Sequence, residues 1–352
     1  MIRQDRDLAF MLQFENIAWY ESGKVRILDR RVYPREVRYE ICNNHKEVAQ
    51  AISDMVTQSA GPFVAAGMGM ALAAYESQNM NSKDMWAYLN TAAETISTSR
   101  ATTVKRMRLI VNGCLEAARE AMDRGLKADE AIFEHTLEYN NNRYFRVGKV
   151  AEYLVDMFPK NGTIMTQCFG ETIVGLMLKE AKKRGNEIKL IVPETRPYFQ
   201  GARLTASVAY DQGFDVTVIT DNMPAYVIDK KKVDLFTSAA DAICMDGYIV
   251  NKVGTFQIAI VAKYMGIPYF VTGTPDKDHD KVSGVTIEER DGDFVLQAMG
   301  VKTAMDGVKG YYPSFDITPP HLVSGVVTDK GIYSPYDLNR YYDGNTKVEL
   351  II

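Results

Sequence analysis

Between residues 162 and 271 the chain repeats one pattern, and that pattern leaves few folds open. A short apolar run at 163–166 follows the turn dipeptide Asn161-Gly162 and leads into a helical stretch, 171–184, closed by Gly185. The pairing recurs with an apolar run at 188–192 and a helical stretch at 201–212 closed by Gly213. Further apolar runs lie at 216–220 and 233–237, then a helical stretch at 255–265 closed by Gly266, then a run at 268–271. Strands and helices alternating roughly 25 residues apart predict a parallel, doubly wound α/β sheet. Such a sheet binds ligands in loops beyond the carboxyl ends of its strands. The loops to inspect are therefore 167–171, 193–201, 221–225, 238–254 and 272–282.

Upstream of residue 145 the pattern is helical instead. Residues 46–75 place Val48, Ile52 and Val56 on one face at helical spacing, and the glycine-rich 61–69 stretch allows close approach to other backbone. Helical patterns continue at 82–97, 101–125 and 129–158. The segment 19–32 alternates enough for a small hairpin with Gly23 in its turn. The expected organisation is a mainly helical domain over 1–145 with a short hairpin, and the doubly wound domain over 146–352.

Charge and composition narrow the function classes. Lys and Arg number 41 against 45 Asp and Glu, a net charge of -4, so no basic field for nucleic acid shows in the sum. No stretch approaches the ~20 apolar residues of a membrane span, and the N-terminal MIRQDRDLAF lacks a signal-peptide core. Cys42, Cys114, Cys168 and Cys244 lie far apart with no CxxC, which suits a reducing cytoplasm. The four histidines are equally scattered, so neither a metal site nor a metal cofactor is expected. No strand is followed by GxGxxG, which removes a nicotinamide dehydrogenase.

Three loops carry residues suited to chemistry. Cys168 falls just past a strand and just before a helix, where the helix dipole lowers a thiol pKa; a small buried hydrophobe is the plainer reading. Asp241 is flanked by Ala239, Ala240, Ala242 and Ile243, and apolar company raises a carboxyl pKa toward general-acid use. Downstream, Asn251, Lys252 and Gly254 precede a helix, the arrangement of an anion site. In 193–206, Arg196 and Arg203 flank Gln200-Gly201, and their planar forks match phosphate oxygens; pairing with Glu194 is equally open.

Beyond these loops, ETRPYFQGARLTA (194–206), GFDVTVITDN (213–222) and ADAICMDGYIVNKVGTFQIAIVAKYMGIPYFV (240–271) closely resemble the methylthioribose-1-phosphate isomerases. That family shares a superfamily with the regulatory subunits of the translation-initiation nucleotide-exchange factor. The similarity runs on through IEER (287–290) and YYPSFDITPPHLVSGVVTDKGIY (311–333). It also reaches back to ILDRRVYPREVRY (27–39) and TSRATTVKR (98–106). The resemblance implies a small helical domain plus a Rossmann-like domain, a homodimer, no cofactor, and a small phosphorylated sugar as substrate. Cys168 and Asp241 match the family's catalytic positions. Arg100, Gln200, Asn251 and Lys252 match positions that hold the substrate.

The chain departs from the family twice. Gln58-Ser59-Ala60 stands where the family has Arg-Gly-Ala, and Phe169-Gly170-Glu171 stands where it has a small polar turn. Both departures fall on substrate-contacting loops. Methylthioribose 1-phosphate is thus the default substrate, with 5-deoxyribose 1-phosphate and ribose 1,5-bisphosphate as near alternatives. A non-catalytic regulatory homologue would need neither Cys168 nor Asp241, and this chain keeps both.

Overall fold

The computed structural model describes residues 2–100 and 104–343, and the chain forms two compact units, Met1–Phe145 and Arg146–Ile352. The first unit opens with α1 (Phe14–Ile17), then the hairpin β1 (Ala18–Glu21) and β2 (Lys24–Leu28), whose turn holds Gly23. A third strand, β3 (Tyr39–Cys42), pairs antiparallel with β2 and was not read in the sequence. Helices α2 (His45–Ser53), α3 (Gly61–Glu76), α4 (Ser82–Ser97) and α5 (Val104–Asp123) follow, and α6 (Ala128–Val155) carries the chain across the unit boundary. Residues 101–103, at the head of the 101–125 helical pattern, lie outside the described residues.

The helical pattern over 46–75 resolves into two helices, not one. Residues 54–60 break it, with Met55 (φ 60°) and Ser59 (φ 58°) in the left-handed region that helices exclude. Composition explains the break: α2 has one apolar face, whereas α3 is buried on all sides from Gly61 to Ala74. Pro62, at the start of α3, has no N–H to lose there. The glycine-rich stretch does permit close approach. A Cβ on Gly67 would come 2.5 Å from the Thr136 side chain on α6.

The second unit is built on a seven-stranded sheet. Its elements are β4 (Asn161–Thr166), α7 (Thr172–Lys183), β5 (Glu187–Pro193), α8 (Ala206–Asp211), β6 (Asp215–Ile219), α9 (Pro224–Lys230) and β7 (Val233–Ala239). A short pair follows, β8 (Ala242–Ile243) and β9 (Ile249–Lys252), then α10 (Thr255–Met265) and β10 (Tyr269–Thr272). The remaining strands are β11 (Glu289–Arg290), β12 (Gln297–Ala298), β13 (Val301–Lys302), β14 (Tyr312–Pro313), β15 (Phe315–Thr318), β16 (Gly325–Thr328) and β17 (Gly331–Tyr333).

The order β17-β16-β10-β7-β4-β5-β6 is the doubly wound arrangement. It is parallel except for β17, which runs antiparallel to β16 at one edge. Strand order reverses between β4, which begins the series toward β6, and β7, which begins the series toward β16. The inner strands are apolar on both faces because both faces are covered. Met165, Phe236 and Val271 are fully enclosed, and Ile258, Ala259 and Ala262 bury one face of α10 in the same core. A buried aliphatic side chain of that size contributes about 1.5–3 kcal/mol. This core holds the carboxyl ends of β4 and β7 rigid, and the loops that leave them define the crevice.

Candidate active site

Cys168 leaves the carboxyl end of β4 and Asp241 leaves that of β7, the two strands that flank the reversal of strand order. Residue by residue, Cys168 adopts φ 62° and Glu171 φ 50°. Such conformations cost about 1–3 kcal/mol each in a non-glycine residue and persist where surrounding contacts impose them. Here the Thr205 hydroxyl, fully buried just before α8, donates to the Cys168 carbonyl. Burial pushes the Cys168 thiol up to about 11; the nearby Lys252 ammonium pulls the other way and the Asp241 carboxylate adds to the rise. The lowering expected from the helix dipole is therefore not realised. Helix α7 starts only at Thr172, with Glu171 as its N-cap, and a helix dipole acts only within its first turn.

Asp241 also differs from expectation. Its alanine and isoleucine neighbours do not enclose it, and its side chain is exposed. Its backbone N–H donates to the Val250 carbonyl at 2.9 Å, which ties the end of β7 to β9. Lys252 ends β9 and is 5% exposed, with its ammonium 4.7 Å from the Phe315 ring. Burial holds its pKa below the usual lysine range, while Cys168 and Asp241 oppose that shift. Cys168, Asp241 and Lys252 thus lie within electrostatic reach of one another, although they are 73 and 84 positions from Cys168 to the other two (241 − 168; 252 − 168). Asn251 is buried beside them, its amide donating to Thr255 Oγ1 at 3.0 Å.

Gln200 is buried at the end of the 193–201 loop, and its amide oxygen has no hydrogen-bond partner. Glycine is required next to it, because a Cβ on Gly201 would come 1.9 Å from the Pro193 carbonyl oxygen. The two arginines of this loop bind loop backbone, although Arg196 Nη1 is buried without a hydrogen-bond partner. Arg196 Nη2 donates to the Val295 and Gln297 carbonyls at 3.2 and 2.8 Å. Arg203 donates through Nε and Nη2 to the Tyr198 carbonyl at 3.1 and 2.7 Å. Arg196 also lies within electrostatic reach of Glu194, whose pKa it pulls down against the rise from burial.

Several contributors escaped the sequence reading. Gln167, next to Cys168, is 3% exposed; its Nε2 donates to the Val253 carbonyl at 3.2 Å, which fixes the amide orientation and leaves Oε1 buried without a partner. Thr172 and Thr237 also bury hydroxyls without partners. Leaving such groups unmatched costs about 1–3 kcal/mol each, so their gathering near the carboxyl ends of β4 and β7 marks a surface suited to a polyhydroxylated ligand. Tyr312, Phe315 and Asp316 approach Lys252 from β14 and β15, and Glu288 and Arg290 contribute to its field. All five lie inside segments that resemble the family, yet no single-residue pattern distinguishes them.

The remaining sequence candidates belong to the first unit. Gln58 is buried just ahead of α3, Ser59 is exposed with φ 58°, and Ala60 is the N-cap of α3. Arg30, fully buried, donates to the Gln58 carbonyl at 2.6 Å and so fixes this turn. Ser59 thus retains a backbone conformation that suits the glycine of the family pattern. Arg100 follows α4 and is half-buried. A separate cavity of about 400 Å³ in the second unit is lined by Arg196, Asp221, Gly254, Phe256, Tyr312 and Asp316, among others. It adjoins the turn after Lys252 and does not include Cys168 or Asp241.

The chain is similar to known proteins along nearly its whole length. The chain is 32% identical over 347 residues to a methylthioribose-1-phosphate isomerase of Pelotomaculum thermopropionicum, covering 92% of this chain and 93% of that protein. It is 32% identical over 345 residues to a 5-deoxyribose 1-phosphate isomerase of Clostridium botulinum, covering 94% and 98%. The crystal structure of 5-methylthioribose 1-phosphate isomerase from Pyrococcus horikoshii superposes with a TM-score of 0.82 at 28% identity, over 93% of this chain and 95% of that one. The delta subunit of translation initiation factor eIF-2B from A. fulgidus gives 0.77 at 28% identity, over 91% and 96%. The model of the initiation factor 2 subunit family matches residues 57–335, and the chain belongs to that family.

Proposed function

We propose that this protein is an aldose–ketose isomerase that converts a ribose 1-phosphate with an uncharged C5 substituent into the matching ribulose 1-phosphate. The observation that carries the reading is the juxtaposition of Cys168, Asp241 and Lys252 beside the carboxyl ends of β4 and β7. Relatives with the two isomerase names align along nearly the whole chain, which supports the same reading. A sugar phosphorylated at C1 cannot open to a free aldehyde. The bond from C1 to the ring oxygen must break with the phosphate retained, and that oxygen needs a proton. Asp241 supplies it as general acid. Hydrogen then moves from C2 to C1, the C2 hydroxyl proton leaves, and the ketone forms, with Cys168 carrying the proton. Lys252, Asn251 and Gln200, all of the second unit, hold the phosphate and hydroxyls. No metal or cofactor takes part.

The test is a substrate panel read by NMR: 5-methylthioribose 1-phosphate, 5-deoxyribose 1-phosphate and ribose 1,5-bisphosphate, with and without chelator. The expected result is ketose from the first two, unchanged by the chelator, with kcat/KM at least tenfold lower for the bisphosphate. Phe169 and Glu171, both buried beside the thiol, replace a small polar turn, and a second phosphate near a carboxylate is disfavoured in a water-poor pocket. A tenfold preference for the bisphosphate would refute this account of the C5 end. Activity lost on chelation and restored by one divalent ion would refute the metal-free mechanism. The C2 hydrogen can move directly as hydride, or Cys168 can take it as a proton to give an enediol; running the reaction in D2O separates the two, since only the enediol brings solvent deuterium to C1.

The protein is further proposed to act in the cytoplasm as a homodimer. Exposed Val218, Met223, Tyr226, Ile260 and Tyr264 on β6, α9, α10 and their flanks offer an apolar surface for it. Light scattering at the single-chain mass of 39.5 kDa would remove the dimer. Among the described residues no helix is long and apolar enough to cross a membrane.

A further inference from the structure

The turn that carries Lys252 is held by a residue far from it in sequence. Val253 and Gly254 join β9 to α10, and Gly254, at φ 104°, is the N-cap of α10 without any side-chain cap of its own. A left-handed residue at a helix start has no local device to satisfy the first N–H groups. Asp316 supplies one from β15, 62 positions away. Its carboxylate accepts the Gly254 N–H at 2.7 Å and the Phe256 N–H at 3.1 Å. The β9–β15 ladder sets this register, with Phe315 opposite Lys252 and Asp316 opposite Asn251. Val253 N–H is also taken, by the Ser314 carbonyl at 3.2 Å.

Two consequences follow. Of the N–H groups that the sequence offered to a phosphate at the start of α10, those of Gly254 and Phe256 are already taken by Asp316, so the anion relies on the side chains of this turn. Those side chains take their places from β15. We propose that Asp316 is the positioning residue of the anion-binding turn, capping α10 in trans and thereby fixing Lys252 and Asn251 for the phosphate of the substrate; this rests on the sugar-phosphate reading above.

The carboxyl group is itself titratable in a useful range. Burial pushes Asp316 up to about 6, against the pull of the Gly254 and Phe256 N–H groups and of Lys252. The charged and titratable groups around it are Lys252 on β9 and, across the cavity, Arg196, Asp221, Tyr311 and Tyr312. A protonated carboxyl accepts more weakly, so the clamp loosens as pH falls through about 6. The substrate phosphate titrates in the same range, which makes the uncharged variant the necessary control.

The experiment compares wild type with Asp316→Ala and Asp316→Asn in the full chain. Three readouts are used: amide exchange at Gly254 and Phe256, binding of inorganic phosphate by calorimetry, and KM against kcat on the substrate that wild type turns over. In Asp316→Ala, exchange at both amides should accelerate at least tenfold. Phosphate Kd and KM should rise about tenfold, with kcat within threefold. Asp316→Asn, which keeps one acceptor oxygen, should recover part of the affinity and lose the Asp316 share of the acid limb in kcat/KM. Should Asp316→Ala fail to fold, Asp316→Asn and the pH dependence of exchange in wild type decide the matter. Unchanged exchange, Kd and pH profile overturn the proposal, as does kcat collapsing with KM unmoved. Phosphate that fails to bind wild type at millimolar concentration also overturns it. If wild type binds phosphate through this turn yet isomerises none of the three sugars, the clamp stands and the isomerase reading falls.

Discussion

Cys168→Ser should fold like the parent chain and turn over substrate about a thousandfold more slowly, the scale of a lost proton-transfer group. Serine matches the size of cysteine but holds its proton far more tightly, so it cannot exchange one with the sugar at neutral pH. The resting state sharpens the prediction. Because burial lifts the thiol to about 11, the neutral thiol is the favoured form at neutral pH. Alkylation follows the thiolate, so its rate at Cys168 should climb about tenfold per pH unit through pH 8 to 10. It should level off only near 11. A levelling near pH 8.5, the range of an ordinary cysteine, would show that the thiol is not held in a dry site. Saturating substrate should slow the modification. Peptide mapping must assign the adduct, since Cys42, Cys114 and Cys244 are also free thiols, although all three are buried. Substrate protection that is absent at Cys168 would place the thiol outside the site.

Asp241→Asn should cost turnover by a similar factor of about a thousand, because an amide can donate a hydrogen bond to the ring oxygen but cannot deliver a proton. The substitution is nearly isosteric and the side chain is exposed, so the fold should be retained; thermal denaturation within a few degrees of wild type checks that. A second effect has a definite sign. The Asp241 carboxylate raises the Cys168 pKa, so removing its charge should lower that pKa and speed alkylation of Cys168 at fixed pH. Slow turnover combined with fast alkylation at an unchanged melting temperature is the signature of a lost charge beside the thiol. Activity within tenfold of wild type would remove Asp241 from the mechanism. Alkylation unchanged by the substitution would separate the two groups in space.

The doubly wound sheet was readable because its signals are local. Apolar runs such as 188–192 and 233–237, and glycines that close helices at 185, 213 and 266, report backbone preference and burial within a few residues. The same local logic failed over 46–75, where one helical period spans two helices. Periodicity carries on across a break whose cause, two left-handed residues in a seven-residue turn, leaves little trace in hydrophobicity. Strand β3 was missed for the opposite reason. Its pattern of burial, with only Cys42 enclosed, is too weak to read without its partner β2.

By itself, the sequence determined the alternation of strands and helices, the loops at the carboxyl ends of the strands, and the residues Cys168, Asp241, Asn251 and Lys252 in those loops. Tertiary structure decided what those groups are electrostatically. A thiol expected to be acidic is a weak acid, because its desolvation outweighs the dipole of a helix that begins four residues later. An aspartate with apolar neighbours in sequence is exposed, because the direction of a side chain in a loop depends on how β7 is tied to β9 rather than on adjacent residues. Two arginines that look like phosphate forks donate to backbone carbonyls, and two N–H groups at the helix start that looks open to an anion are taken by Asp316. Chain neighbours fix backbone geometry over short distances, whereas desolvation, Coulomb interaction and hydrogen-bond competition depend on which atoms meet across the fold, and only the fold brings those atoms together.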